Sequence, residues 1–174
     1  MRRGLCLLAA ACLAAMPFAA AHAVGGVPVV GPDHGFMARA ARASETALLA
    51  NRIAVRDAAQ PDVRRFADAM VHENDWINRW LAVTALRDGI PAPNMPTLRE
   101  RRLVAALRGA PAGQFDRSYL TAQARLDDGL IHLYRREAYA GQDQPLRAFA
   151  GRVLQRLDAQ QRAVTRLAAR PVAD

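Results

Sequence analysis

Three polar residues occupy positions where the predicted helices should be apolar: Asn74, Asp127 and Gln160. Each lies midway along the apolar stripe of a different predicted helix. A buried amide or carboxylate without a partner costs roughly 1–3 kcal/mol, so we expect the three side chains to meet. Two amides supply donors and acceptors that can satisfy one carboxylate, which favours a buried hydrogen-bond network. In such a network Asp127 either stays ionised, held by amide N–H groups, or is neutralised by an arginine that reaches inward.

A cation site is the alternative interpretation of the same residues. Glu73 would complete it, and the oxygen ligands would suit a divalent metal. However, the Glu-x-x-His pattern of di-iron bundles is absent, and no histidine of the mature chain joins the apolar stripe. Asp128 and His132 are four residues apart, but on the predicted outer face, where we expect a solvated contact.

Other catalytic chemistry has little support in the sequence. The two serines, Ser44 and Ser118, lie outside any nucleophile-elbow pattern, and no glycine-rich phosphate loop is present. Both cysteines, Cys6 and Cys12, fall within the predicted signal peptide described below. We therefore expect a non-catalytic protein without a cofactor.

The first 23 residues resemble a secretory signal. Arg2 and Arg3 form a basic start, residues 5–15 are apolar, and Ala21-His22-Ala23 has the small-x-small pattern of a cleavage site. A membrane anchor and a lipoprotein signal ending at Cys12 are alternatives, although the apolar run is short for either. We expect cleavage near Ala23 and a periplasmic or secreted protein, or alternatively an envelope-associated one.

The basic residues of the chain are all arginines. Removing Arg2 and Arg3 from 24 basic and 16 acidic residues leaves a mature net charge of +6. Such a surface could attract anionic lipid headgroups or other anionic envelope components. It could equally be an ordinary solvated helical surface in an arginine-rich protein. No nucleic-acid partner is expected.

Hydrophobic periodicity predicts an all-α domain over residues 35–170, after a linker at 24–34. Pro61, the Thr97–Glu100 capping box and Asp143 mark predicted helix starts. Two tight turns and one connection of 25 residues predict a ferritin-like up-down-down-up four-helix bundle, with a short helix in the long crossover. The predicted helices span about residues 35–57, 61–88, 97–108, 114–140 and 144–169.

Two tryptophans, Trp76 and Trp80, form an i, i+4 pair beside the inner stripe of the second helix. They could form an exposed interface for a partner. We favour packing beneath the crossover helix, against Leu98, Leu103 or Leu107, because large aromatic side chains seldom stay exposed.

Four segments resemble a family of exported bacterial proteins built on a ferritin-like bundle domain of unknown function. They are residues 36–41, 61–71, 115–119 and 146–150, and the resemblance covers about residues 36–167. The family usually has a glutamate on the first helix, an Asp-His pair on the second, and a histidine on each of the last two. These residue types suit a central metal site.

The resemblance assigns these family positions to Ala47, Glu73-Asn74, Asp127 and Gln160 in this chain. Only Glu73 and Asp127 keep metal-binding chemistry, so the resemblance implies a degenerate central site. We expect a binding or envelope-associated role. The alternatives are a metal-binding, oxidase or storage protein that uses Glu73 and Asp127, and a stress-linked envelope protein that contacts anionic lipid.

Overall fold

The structure is a computed structural model that describes residues 31–90 and 95–170. This part of the chain is all-α, as predicted, and contains no strand. The predicted signal peptide, linker residues 24–30 and residues 91–94 of the crossover lie outside the described residues. The helices are α1 (Pro32–Asp57), α2 (Pro61–Arg87), α3 (Leu98–Arg108), α4 (Phe115–Ala140) and α5 (Gln144–Ala168), with a 3-10 turn at Ala112–Gln114.

Local sequence explains where several helices begin and end. At the start of α3, the Thr97 hydroxyl accepts a hydrogen bond from the backbone N–H of Glu100, whose carboxylate accepts one from the Thr97 N–H. The Asp143 carboxylate accepts a hydrogen bond from the N–H of Leu146 at 2.7 Å and caps α5. Gly89 follows α2 at φ 64°, in the left-handed region that glycine adopts most easily. The capping box and the Asp143 cap are confirmed.

The first helix starts at Pro32, earlier than the predicted start near residue 35. Proline suits the first turn of a helix, because its φ is already helical and no intrahelical partner exists there for an N–H group. The next residue, Asp33, is buried, and its carboxylate accepts hydrogen bonds from the backbone N–H groups of Gln142 and Asp143. The end of the predicted linker therefore belongs to α1, held by a contact with the α4–α5 turn.

A similar contact joins the other ends of α1 and α4. The carboxylate of Asp116, in the first turn of α4, accepts hydrogen bonds from the N–H groups of Ala59 at 2.9 Å and Gln60 at 2.8 Å. These N–H groups lie in the α1–α2 turn. Each end of α1 is thus connected to α4 or to the turn that follows it.

Small residues let α1 pack closely against its neighbours. Along one face of this helix, Phe36, Ala40, Ala47, Ala50 and Ala54 are buried and Ala43 is half-buried. This helix contacts α2, α4 and α3, while α4 contacts α5 most extensively. Two apolar clusters result, one toward each end of the long helices. Of the described helices, none combines the length and apolarity needed to cross a membrane.

Candidate functional site

Asp127 lies in the middle of α4 and is completely buried. Its Oδ1 atom accepts a hydrogen bond from Gln123 Nε2 at 2.9 Å, one helical turn earlier. The same Oδ1 accepts a second hydrogen bond from Gln160 Nε2 of α5, at 2.6 Å. Within the described residues, Oδ2 has no hydrogen-bond partner. We call Gln123, Asp127 and Gln160 the acid–amide cluster.

Burial raises the pKa of Asp127 to about 7, because a charged carboxylate is disfavoured away from water. The hydrogen bonds from Gln123 and Gln160 favour the ionised form and act in the opposite direction. Burial also raises the pKa of Tyr119, and the nearby Asp127 charge adds to this effect. The Tyr119 hydroxyl is therefore protonated, and it donates to Asn51 Oδ1 at 2.8 Å.

Asn74 is buried but does not join the acid–amide cluster. Its Oδ1 atom accepts a hydrogen bond from the Ser44 hydroxyl at 3.1 Å, and its Nδ2 donates to the backbone carbonyl of Met70 at 2.8 Å. The prediction that Asn74, Asp127 and Gln160 meet in one network is therefore wrong for Asn74. Ser44 and the Met70 carbonyl satisfy its amide locally, so it needs no partner on α4 or α5.

Glu73 faces α5 and forms an ion pair there. Its Oε2 atom lies 2.6 Å from Arg156 Nη1, and the guanidinium of Arg156 also lies 4.8 Å from the centre of the Trp76 ring. The remaining carboxylate oxygen, Oε1, is buried without a hydrogen-bond partner in the described part of the chain. Burial raises the pKa of Tyr134, and the Glu73 charge raises it further.

The residues that the resemblance aligns with a metal site do not form a metal-binding set. Ala47 is buried, and its side chain has no atom that can bind a metal. The amide of Asn74 is already hydrogen-bonded to Ser44 and to the carbonyl of Met70. Glu73 is bound to an arginine, whereas Asp127 receives two amide N–H groups. Among the described residues, no group of three or more His, Cys, Asp or Glu side chains has a geometry suited to a metal ion. These residues therefore do not fit a carboxylate/imidazole metal centre.

The tryptophans pack differently from the favoured prediction. Trp80 stacks on Phe149 of α5, with ring centroids 3.6 Å apart and planes 4° apart, and Trp76 lies 5.6 Å from the same ring. Leu103 and Leu107 of α3 belong to the other apolar cluster, and Leu98 is exposed. Packing beneath the crossover helix is therefore wrong, because α3 lies against α1 and α4 rather than α2. Both indole rings remain half-buried.

Asp128 and His132 lie 3.8 Å apart on the outside of α4, with side chains 69% and 71% exposed. Salt and water screen a pair this open, so it contributes little to stability and forms no metal pocket.

Several buried polar residues were not among the predicted site residues. Gln123 precedes Asp127 by four residues on the same stripe, a spacing that could have placed it in the cluster. Ser44 precedes Ala47 by three residues on α1. By contrast, the contacts of Asp33 and Asp116 join distant turns, and no local pattern predicts them.

Glu137, near the end of α4, is a further buried acid. Burial raises its pKa to about 7, Asp33 raises it further, and Arg136 lowers it. Gly141 provides the space for its side chain, because a Cβ at this glycine would lie 2.7 Å from the Glu137 carbonyl oxygen and closer still to its Oε1.

The comparisons with known proteins identify a family but no characterised relative. No curated protein and no solved structure matches the chain. The family model described as "Domain of unknown function (DUF4142)" matches residues 18–167, which is most of the sequence. The chain therefore belongs to the DUF4142 family.

Proposed function

We propose that this protein is an exported, non-catalytic binding protein of the bacterial envelope, built on a ferritin-like four-helix bundle whose central metal site is degenerate. One observation carries the proposal: Asp127 Oδ1 accepts amide N–H groups from both Gln123 and Gln160. Amide N–H groups that donate to a buried carboxylate satisfy it by hydrogen bonding, so the carboxylate has a structural role. The acid–amide cluster then joins α4 to α5, and any binding site lies on the surface of the protein.

The contacts of Asp33 and Asp116 support the ferritin-like topology. The short α1–α2 and α4–α5 turns favour antiparallel pairs. Asp33 connects the start of α1 to the end of α4, and Asp116 connects the start of α4 to the end of α1. This arrangement favours an antiparallel α1 and α4, and hence the up-down-down-up order. The connection containing α3 would then run the length of the bundle.

Export is proposed from the features of residues 1–23. Arg2 and Arg3, the apolar run and the Ala21-His22-Ala23 pattern together support secretion and cleavage after Ala23. Expression of the full chain in a bacterial host, followed by fractionation and mass measurement, tests this proposal. A periplasmic product starting at Val24 is the expected result, and an uncleaved cytoplasmic chain would contradict export.

Metal analysis of the mature protein tests the degenerate site. We expect well below one equivalent of iron, manganese or zinc after purification at neutral pH. We also expect Gln160→His to raise metal affinity only weakly, because the family's first-helix glutamate is Ala47 here. Near-stoichiometric metal that is lost in Asp127→Ala would instead favour the metal-binding alternative based on Glu73 and Asp127. Tight binding by the Gln160→His variant alone would also contradict the proposed assignment of family positions.

Contact with anionic lipid is the second candidate function. It is favoured by a concentration of arginines along one side of α4, including Arg117, Arg125 and Arg136, each without an ion-pair partner within 4 Å among the described residues. Co-sedimentation with anionic vesicles that falls steeply with added salt would support it. Equal sedimentation with neutral vesicles would argue against it.

A further inference from the structure

A large groove runs along the side of α4, between α1 and α3. It has a volume of about 1360 Å³, and α4 lines it from Arg117 to Arg136. At 1.5 Å per residue this stretch is about 29 Å long. The α3 helix has 11 residues and therefore forms a wall of roughly 16 Å along part of this length.

The floor of the groove is apolar. Leu126 and Leu133 are half-buried on α4, and Leu103 is half-buried on α3. Gly129 lies on the same face between the two α4 leucines and is exposed, and a Cβ added there would have no other atom within 4 Å. The middle of the groove is therefore open, with apolar side chains at either end of the opening.

The rim of the groove is strongly cationic. None of its arginines forms an ion pair within 4 Å in the described part of the chain. Among the described residues that line the groove, Glu100 is the one carboxylate, and it accepts a hydrogen bond from the Thr97 N–H in the α3 capping box. The six arginines that line the groove are Arg39, Arg42, Arg99, Arg117, Arg125 and Arg136.

We infer that this groove binds a long-chain fatty-acid anion, with its acyl chain on the leucine floor and its carboxylate at the arginine rim. A guanidinium group presents paired N–H donors that match a carboxylate. The hydrocarbon core of a bilayer is about 30 Å thick and contains two layers of acyl chains, so one chain is about 15 Å long. This length is about half that of the groove. The volume exceeds the roughly 300–1,000 Å³ typical of small-molecule sites. This inference rests on the proposed binding role but not on the state of the acid–amide cluster.

An acidic helix from a partner protein fits the groove less well. A helix as long as the groove and about 10 Å in diameter would occupy roughly 2,300 Å³, so part of it would stand outside this open groove. A single acyl chain is far thinner and leaves room for its head group. The apolar floor and the limited volume of the groove therefore favour the fatty acid.

Binding of palmitate to the mature protein, measured by calorimetry below the aggregation limit of the lipid, tests the inference. Gly129→Leu should fill the middle of the groove and weaken binding by about tenfold or more. Gly151→Leu is the matched control, because Gly151 is also a helical glycine with open space around its Cβ position and lies outside the groove. It should leave the affinity unchanged. Both substitutions replace a helical glycine with a better helix former, so both variants should fold.

Charge provides an independent arm of the test. Replacing Arg125 and Arg136 together by glutamine should weaken palmitate binding several-fold. The same change at Arg147 and Arg152, exposed on α5 and outside the groove, should not. Hexadecanol, which has the same chain but no charge, should bind more weakly than palmitate and should not respond to the arginine substitutions.

Three results would overturn the inference: no palmitate binding by the wild-type protein, equal affinity for palmitate and hexadecanol, or unchanged binding in Gly129→Leu. Displacement of palmitate by a stoichiometric acidic peptide of higher affinity would also overturn it in favour of a protein partner. The proposed function is tested separately through metal content and export. If the protein is exported and free of metal but does not bind palmitate, the groove inference alone is refuted.

Discussion

Substitution of Asp127 by asparagine isolates the energetic effect of burying this acid. Asparagine has almost the same shape, and its Oδ1 can still accept the N–H groups of Gln123 and Gln160. The folded-state pKa of Asp127 is raised from 3.8 to about 7. Between these values the folded protein holds a proton that the unfolded chain releases. The contribution of Asp127 to stability is therefore largest at low pH, falls as pH rises through this window, and levels off above about pH 7.

The expected magnitude follows from the size of the shift. Each pH unit inside the window reduces the free energy of unfolding by about 1.4 kcal/mol, so the full window is worth roughly 4 kcal/mol. The asparagine side chain of the variant does not titrate and escapes this loss. The stability of Asp127→Asn relative to wild type should therefore improve by roughly 3–4 kcal/mol between about pH 4 and pH 8.

Urea unfolding of both proteins across this pH range provides the measurement. Glu137 has a pKa also raised to about 7, but it is present in both proteins and largely cancels in the difference. Asp68→Asn is a suitable control, because Asp68 is exposed and has no hydrogen bond within the described residues. A stability difference between Asp127→Asn and wild type that stays constant with pH would refute the reasoning. It would mean that the two amide hydrogen bonds cancel the effect of burial on the pKa of Asp127.

Two further substitutions test contacts at the helix ends. Asp116→Ala removes two hydrogen bonds from backbone N–H groups and should lower the free energy of unfolding by about 2 kcal/mol in a denaturant titration. In the same titration the control Asp68→Ala should change this free energy by less than about 0.5 kcal/mol. Gly141→Ala forces a Cβ against Glu137 and should cost about 1–3 kcal/mol in thermal unfolding. Gly109→Ala, whose Cβ would lie 3.7 Å from its nearest neighbour, should be tolerated; equal losses in the two glycine variants would refute the steric argument.

The helices could be predicted from sequence wherever the signal is local. Thr97 and Glu100 are three residues apart, and Asp143 acts on a backbone N–H three residues later, so short-range spacing is enough to place these starts. The burial of Asn74 likewise follows from helical periodicity. An all-α domain was therefore predictable in outline.

Side-chain partners were harder to predict, because periodicity defines a face but not the helix that covers it. Asn74 forms a hydrogen bond with Ser44 of α1 and not with Asp127. The tryptophans pack against Phe149 of α5 and not against α3. Both outcomes depend on how far each helix is rotated about its axis, which tertiary packing decides. Asp33 was missed for a related reason, since its partners lie 109 and 110 residues further along the chain.

The contacts of Asp33 and Asp116 also bear on how the protein opens. They join segments 110 and 57 residues apart, so neither can form until the two helical hairpins have docked. Contacts made after the rate-limiting step of folding slow escape from the native state more than they speed its formation. If docking of the hairpins follows that step, the contacts of Asp33 and Asp116 lengthen the lifetime of the folded chain. A longer-lived folded state limits the transient opening on which proteolysis depends.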